Sequence, residues 1–361
     1  MNAFTKEDLK RFQAESLNAK FHRTLANVSE WYSWWNYEVY VSFSGGKDST
    51  VIADICARWC KVMDKPLYLV FVNTGLEYPE IQKFVRRYAQ YLRDKYGIEV
   101  VLEVLQPKMR FDEVIKKYGY PIISKEVSNT IEGAKRNPNG TRMKKLKGDY
   151  LKKEGKSFFN KEKWEPLLYM DFDCSDKCCD IMKKKPCCEY EKKTGRKPIM
   201  GQLAEESLKR QTAWLKTGCN AFSSIRPQSN PMSFWTEQDV LQYIKEEKLP
   251  IASVYGEIVY AEDPDQMRLE DLGVDCGVKE KLRTTGCDRT GCVFCAFGCY
   301  LESEPSRFQR LKQTHPRQYE YCIGGGEYNE DGIWQPNKEG LGMGHIFDEV
   351  NKIYGDDFIK Y

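Results

Sequence analysis

Between Tyr40 and Thr50 an apolar strand pattern runs through Ser44-Gly45-Gly46-Lys47-Asp48-Ser49 straight into a helical pattern, and this junction restricts the fold more than any other stretch. Two adjacent glycines can take backbone angles closed to other residues and leave no side chain between the main chain and an anion. Ser44, Ser49 and the first amides of the following helix would then donate to phosphate oxygens, where the helix dipole also favours negative charge. The string is neither Gly-x4-Gly-Lys-[Ser/Thr] nor Gly-x-Gly-x-x-Gly. An ordinary glycine turn in a βα unit is the competing reading, and the complete string between strand and helix weighs against it.

The surrounding pattern predicts an α/β fold. Val39 to Phe43 reads as a buried strand and Ser49 to Met63 as a helix with Val51, Ile52, Ile55 and Trp59 on one face. Leu67 to Val72 follows as a strand, Ile81 to Tyr96 as a helix and Ile98 to Val104 as a third strand. That order gives a parallel twisted sheet with crossover helices, whose ligands bind beyond the carboxyl ends of the strands. The loops at 44–49 and 73–80 both fall at such ends. Residues 6 to 36 suit amphipathic helix with Trp31, Trp34 and Trp35 in the core. Further on come a helix opened by Thr236, a helical stretch from Pro305 to Tyr321 and a glycine-rich tail. The expected organisation is an N-terminal helical segment (1–36), a nucleotide-binding α/β domain with a basic insertion (37–250) and a cysteine-rich C-terminal part (251–361).

With 361 residues and 41% hydrophobic content, the chain can bury one substantial core and carry an appended part. No apolar run is long enough to span a bilayer, and the first residues lack the order of a secretion signal, so a cytoplasmic location is expected and no membrane partner. The 56 basic and 53 acidic residues nearly cancel. Local excess is more informative: residues 136 to 164 hold ten basic against three acidic residues, which suits either a nucleic acid or a solvated insertion. Fourteen cysteines in a reducing compartment point toward metal or sulfur chemistry.

The glycine loop resembles that of the ATP pyrophosphatase (PP-loop) superfamily, which grips the pyrophosphate of ATP or the phosphates of an adenylylated sulfate. Asn73-Thr74-Gly75-x-x-Tyr78-x-Glu80 resembles the Asp-Thr-Gly-x-x-Phe-x-Glu run of phosphoadenylylsulfate (PAPS) reductases, with Asn73 in place of the acid. The resemblance sets Thr74, Gly75 and Glu80 toward the nucleotide, with Glu77 and Glu80 offered as magnesium ligands or loop-ordering groups. Gly201-x-x-x-x-Glu206-Ser207-x-x-Arg210 is similar to a third family segment, whose arginine lies against the phosphate or sulfate. Arg210 can make forked hydrogen bonds to such an oxyanion, as Lys209 cannot.

Cys178-Cys179-Asp180-Ile181-Met182-Lys183-Lys184-Lys185-Pro186 resembles the Cys-Cys-x-Ile-Arg-Lys-x-x-Pro run of adenylylsulfate (APS) reductases, where adjacent cysteines help hold a [4Fe-4S] cluster completed by a later Cys-x-x-Cys. Here that later pair is Cys292-Val293-Phe294-Cys295, a spacing that lets two sulfurs bite one centre. Cys219 is an equally open ligand beside one member of the double cysteine; Cys287, Cys276 and Cys299 are reserves. Thiolates suit iron-sulfur clusters and zinc alike. Cys56 and Cys60 read as core residues, and Cys174, Cys187 and Cys188 as bystanders.

The chain therefore resembles the PAPS reductase family from about Val39 to Gly298. That resemblance implies an adenine nucleotide alpha hydrolase-like fold with a cysteine-rich C-terminal metal-binding part, and ATP, PAPS or APS as the nucleotide. Ser44, Gly45, Gly46 and Ser49 would cradle phosphate, Lys47 and Arg210 neutralise charge, and Asp48 position a metal or the loop. Family reductases end in Glu-Cys-Gly-[Leu/Ile]-His, a string missing from the tail Asp348 to Tyr361; the nearest late thiol is Cys322, before that stretch. Three functions follow: a PAPS reductase-like enzyme of sulfur metabolism with a sulfur or electron donor protein, ATP-dependent sulfur insertion into tRNA or DNA, and a non-catalytic adenylate or nucleic-acid binding module.

Overall fold

The computed structural model describes residues 3–152, 155–156, 159–261 and 281–361. The chain divides into two compact units, each built from separated segments: Met1–Asn73, Glu77–Leu105 and Cys187–Thr290 form the first, and Thr74–Leu76, Gln106–Pro186 and Gly291–Tyr361 the second.

In the first unit β1 (Val39–Ser42), β2 (Leu67–Val72) and β3 (Val100–Leu105) pair in parallel, with Val41 opposite Leu69 and Val70 opposite Glu103. On its other side β1 pairs in parallel with the strand Lys197–Met200, and the short strands Gln228–Ser229 and Asn220–Ala221 complete a six-stranded sheet. β1 is thus the strand at which the sheet's order reverses, the place where doubly wound sheets bind ligands. The expected α/β sheet with crossover helices is the observed one.

Helices α1 (Lys6–Gln13) and α2 (Leu17–Trp34) are followed by α3 (Lys47–Met63) and α4 (Pro79–Tyr96). α3 buries Val51, Ile52, Ile55 and Trp59, together with Cys56 and Cys60, which are core residues as expected. Trp31 is fully buried, whereas Trp34 is 64% exposed and lies against Phe222, which corrects its assignment to the core. Three positions separate the two tryptophans on α2, so the second falls toward the rim of the apolar face. Thr236 caps the helix Glu237–Glu246 through a reciprocal capping box with Asp239. Lys20, 2% exposed, donates to the same Asp239 at 2.6 Å.

The second unit pairs Ile122–Ile123 in parallel with Ala296–Phe297 and carries helices including Phe111–Tyr118 and Lys125–Arg136. The stretch from Pro305 to Tyr321 is two helices, Arg307–Thr314 and Pro316–Ile323. Pro316 supplies no backbone donor and drives His315 out of helical angles, to φ −137° and ψ 62°. The tail also departs from expectation. Met343–Tyr354 is a helix that buries Met343, Ile346, Phe347 and Val350, a spacing that the neighbouring glycines obscured. Among the described residues, no helix is long and apolar enough to cross a membrane.

Candidate functional site

Gly45 takes φ +76°, and a Cβ placed there would stand 3.0 Å from the methyl carbons of Ile81 and Val85. Left-handed backbone and a close approach to α4 both call for glycine. Gly46 is the N-cap of α3 without a side-chain cap. Ser44 Oγ accepts from Gly46 N at 3.3 Å and lies 3.1 Å from Ser49 Oγ, which itself donates to Gly46 O at 2.9 Å. The loop thus folds around its own hydroxyls at the amino end of a long helix, an arrangement suited to a phosphate.

Gly201 explains why the neighbouring strand can come so close. A Cβ there would lie 2.6 Å from Asp48 O and 2.8 Å from Asp48 C, both main-chain atoms with no room to move. The strand Lys197–Met200 therefore ends directly against the start of α3. Just beyond it, Ser207 caps the helix Leu208–Thr217, its hydroxyl accepting from Arg210 N at 3.3 Å. Arg210 binds Glu206, and Glu206 also receives Arg289.

Lys47 is 7% exposed in its side chain and donates to Glu237 Oε1 at 3.0 Å. Burial pushes the Asp48 carboxyl above the usual carboxylate range, against the pull of Lys47, Arg289 and Arg210. Burial also depresses Arg210, and the nearby Arg289 charge adds to that effect. Tyr255 stands over the loop: its hydroxyl is 2.5 Å from Thr290 Oγ1 and 3.4 Å from where a Cβ on Gly46 would be. Burial raises the Tyr255 phenol to about 12, while bonds to Thr290 and the Lys47 backbone hold it down.

The sequence motifs did not point to Tyr255, Glu237, Arg289 or Thr290 as members of this group. Only the last two carried a local signal, lying within the glycine-rich turn from Thr285 to Gly291. Of the second expected loop, Glu80 opens α4 in the first unit, whereas Thr74 and Gly75 pack in the second. There Thr74 Oγ1 accepts from Leu76 N at 3.2 Å, and Leu76 O accepts from Val293 N at 2.8 Å.

Cys178, Cys179, Cys292 and Cys295 all belong to the second unit and bear on one another electrostatically. A hydrogen bond from Cys178 holds the Cys179 thiol well below its ordinary range, helped by Lys125 and Lys183, and the same bond raises Cys178. Burial lifts Cys295 to about 11, with Cys292 adding to it. The Cys178-Cys179 pair runs into a π-helical turn, Asp180–Lys184, a distortion frequent at functional sites. Among the described residues, no three His, Cys, Asp or Glu side chains form a ready metal-holding group. Cys219 lies in the first unit, where burial pushes its thiol to about 12 beside Trp214. Cys299 donates to Ala296 O at 3.1 Å, and Cys322 is buried against Met343. Cys276 lies outside the described residues.

The basic segment is only partly free. Lys161 pairs with Glu126 at 2.9 Å, and Lys145 lies over the rings of Tyr150 and Phe159, while Arg136, Lys144 and Lys147 are exposed. Lys153 and Glu154 lie outside the described residues.

Comparison with known proteins places these features in a family. The model of the phosphoadenosine phosphosulfate reductase domain matches residues 38–151 and 140–300, a region holding the glycine loop, Arg210, Cys178, Cys179, Cys292 and Cys295. An uncharacterized protein of Methanocaldococcus jannaschii is 32% identical over 147 residues, covering 40% of this chain and 33% of its own length. The alignment thus spans about a third of that relative.

Proposed function

Because the chain belongs to the phosphoadenosine phosphosulfate reductase domain family, we propose that it is a PP-loop enzyme of sulfur metabolism that acts on an adenylylated substrate and holds an iron-sulfur cluster on Cys178, Cys179, Cys292 and Cys295. The observation that carries this reading is the convergence of Gly45, Gly46, Asp48 and Arg210 where the central sheet reverses its strand order. The loop and the first turn of α3 bind the phosphates, Arg210 and Lys47 balance their charge, and Tyr255 closes over Gly46 and shields the site from water. Glu77 and Glu80 are the carboxylates offered to a magnesium ion.

The cysteine set fits a cluster in its chemistry. Four thiols of one unit share an electrostatic neighbourhood, and a hydrogen bond from Cys178, aided by Lys125 and Lys183, favours the thiolate form of Cys179. When bound, a [4Fe-4S] cluster supplies electron storage and polarising charge. Zinc on the same thiols would supply a structural clip instead.

The test is product analysis on anaerobically purified protein given APS, PAPS or ATP in turn, with a dithiol reductant present. The expected result is about four irons and four sulfides per chain, with sulfite released together with AMP from APS or with adenosine 3′,5′-bisphosphate from PAPS, as the dithiol is oxidised to the disulfide. AMP and pyrophosphate formed from ATP only when tRNA or DNA is added would support the sulfur-insertion reading, which the exposed Arg136, Lys144 and Lys147 favour. Nucleotide binding without any of these products would leave the binding-module reading.

A further inference from the structure

Arg289 belongs to none of the three anchors read from the sequence, yet it reaches two of them. It binds Glu206, the carboxylate that also holds Arg210, and its charge bears on Asp48 and on Arg210. Glu206 is itself fixed, with Oε2 accepting from Leu203 N at 3.1 Å. The next residue, Thr290, is tied to Tyr255 and lies 3.7 Å from where a Cβ on Gly46 would stand. The turn that delivers Arg289 is therefore anchored at the glycine loop.

Two guanidiniums on a single carboxylate carry excess positive charge, and each has five N–H donors of which one carboxylate satisfies few. An oxyanion with several charged oxygens relieves the repulsion and uses the remaining donors in forked pairs. We propose that Arg289 is a second anion-binding arginine of the nucleotide site, that it and Arg210 jointly take the terminal phosphate or sulfate group of the adenylylated ligand, and that Glu206 is the positioning residue that sets them side by side. This rests on the nucleotide reading above.

Calorimetric titration of the full chain with ATP, APS and AMP tests it. Arg289→Ala weakens ATP or APS binding by about ten- to a hundredfold, the loss expected for hydrogen bonds to a charged group, and changes AMP binding by less than about threefold. Whichever of ATP and APS loses more identifies the terminal group as phosphate or sulfate. Arg289→Lys restores less than half of the lost binding free energy, because the fork is gone. Glu206→Gln keeps an acceptor for Leu203 N and also weakens ATP or APS, with the urea midpoint in place; a merely structural glutamate would move the midpoint and spare the affinity. Wild-type affinity for both ligands in Arg289→Ala overturns the assignment while leaving the nucleotide reading standing. A wild-type chain that binds neither ligand overturns both.

Discussion

Asp54→Ala lowers the free energy of unfolding by about 3–5 kcal/mol, the range for removing one partner from a buried charge network. Asp54 is 0% exposed on α3 and accepts from Tyr96 Oη at 2.7 Å, Tyr243 Oη at 2.8 Å, Lys95 Nζ at 3.0 Å and Arg58 Nε at 3.3 Å. One carboxylate thus ties α3 to α4 and to the helix Glu237–Glu246. Alanine strands two phenols and a lysine at once, and Asn, with one acceptor oxygen, recovers only part. Urea unfolding followed by tryptophan fluorescence reads the effect, and a change below about 1 kcal/mol would show that the network is dispensable. The residue lies more than a turn beyond the glycine loop, so the phosphate contacts proposed for Gly45 and Gly46 do not depend on its side chain.

Gly201→Ala is expected to damage both stability and binding. Its backbone is not in the left-handed region, so the obstacle is space alone, a methyl group 2.6 Å from Asp48 O. The strand Lys197–Met200 and the start of α3 must then separate, at a cost of about 1–3 kcal/mol for overpacking. That movement displaces the first turn of α3 from the proposed phosphate position, and a misplacement near an ångström weakens productive binding by about tenfold to a hundredfold. Urea titration and ATP calorimetry on the same protein measure the two effects together. Wild-type values in both would mean that the two backbones adjust without consequence.

Much of this architecture is legible in the amino-acid sequence. The β1, α3, β2, α4, β3 order followed from periodicity, and Thr236 announced its helix because a capping box is a local device. Gly201 stood in a readable motif, but its reason, contact with the Asp48 backbone, depends on two strands meeting across the sheet. Glu237, Tyr255 and Arg289 were not legible for the same cause: Glu237 meets Lys47, Tyr255 stands by Gly46 and Arg289 binds Glu206, each from a distant part of the chain, and sequence spacing holds no record of that approach. The terminal helix was hidden differently. Met343, Ile346, Phe347 and Val350 have helical spacing, yet Gly340, Gly342 and Gly344 made the region read as coil. The double cysteine and the later Cys-x-x-Cys lie in one unit and Cys219, which had an equal sequence claim, in the other; their spacing carries no record of whether the sulfurs meet, and among the described residues they form no ready metal-holding group.

Hydrogen exchange with and without ATP or APS tests the central claim, that the nucleotide is held by the loop at the head of α3. The account predicts slowed exchange at amides 44–50 and in a second zone at 206–211 around Arg210. Unchanged exchange in both zones under saturating ligand, or protection only elsewhere in the chain, would contradict it.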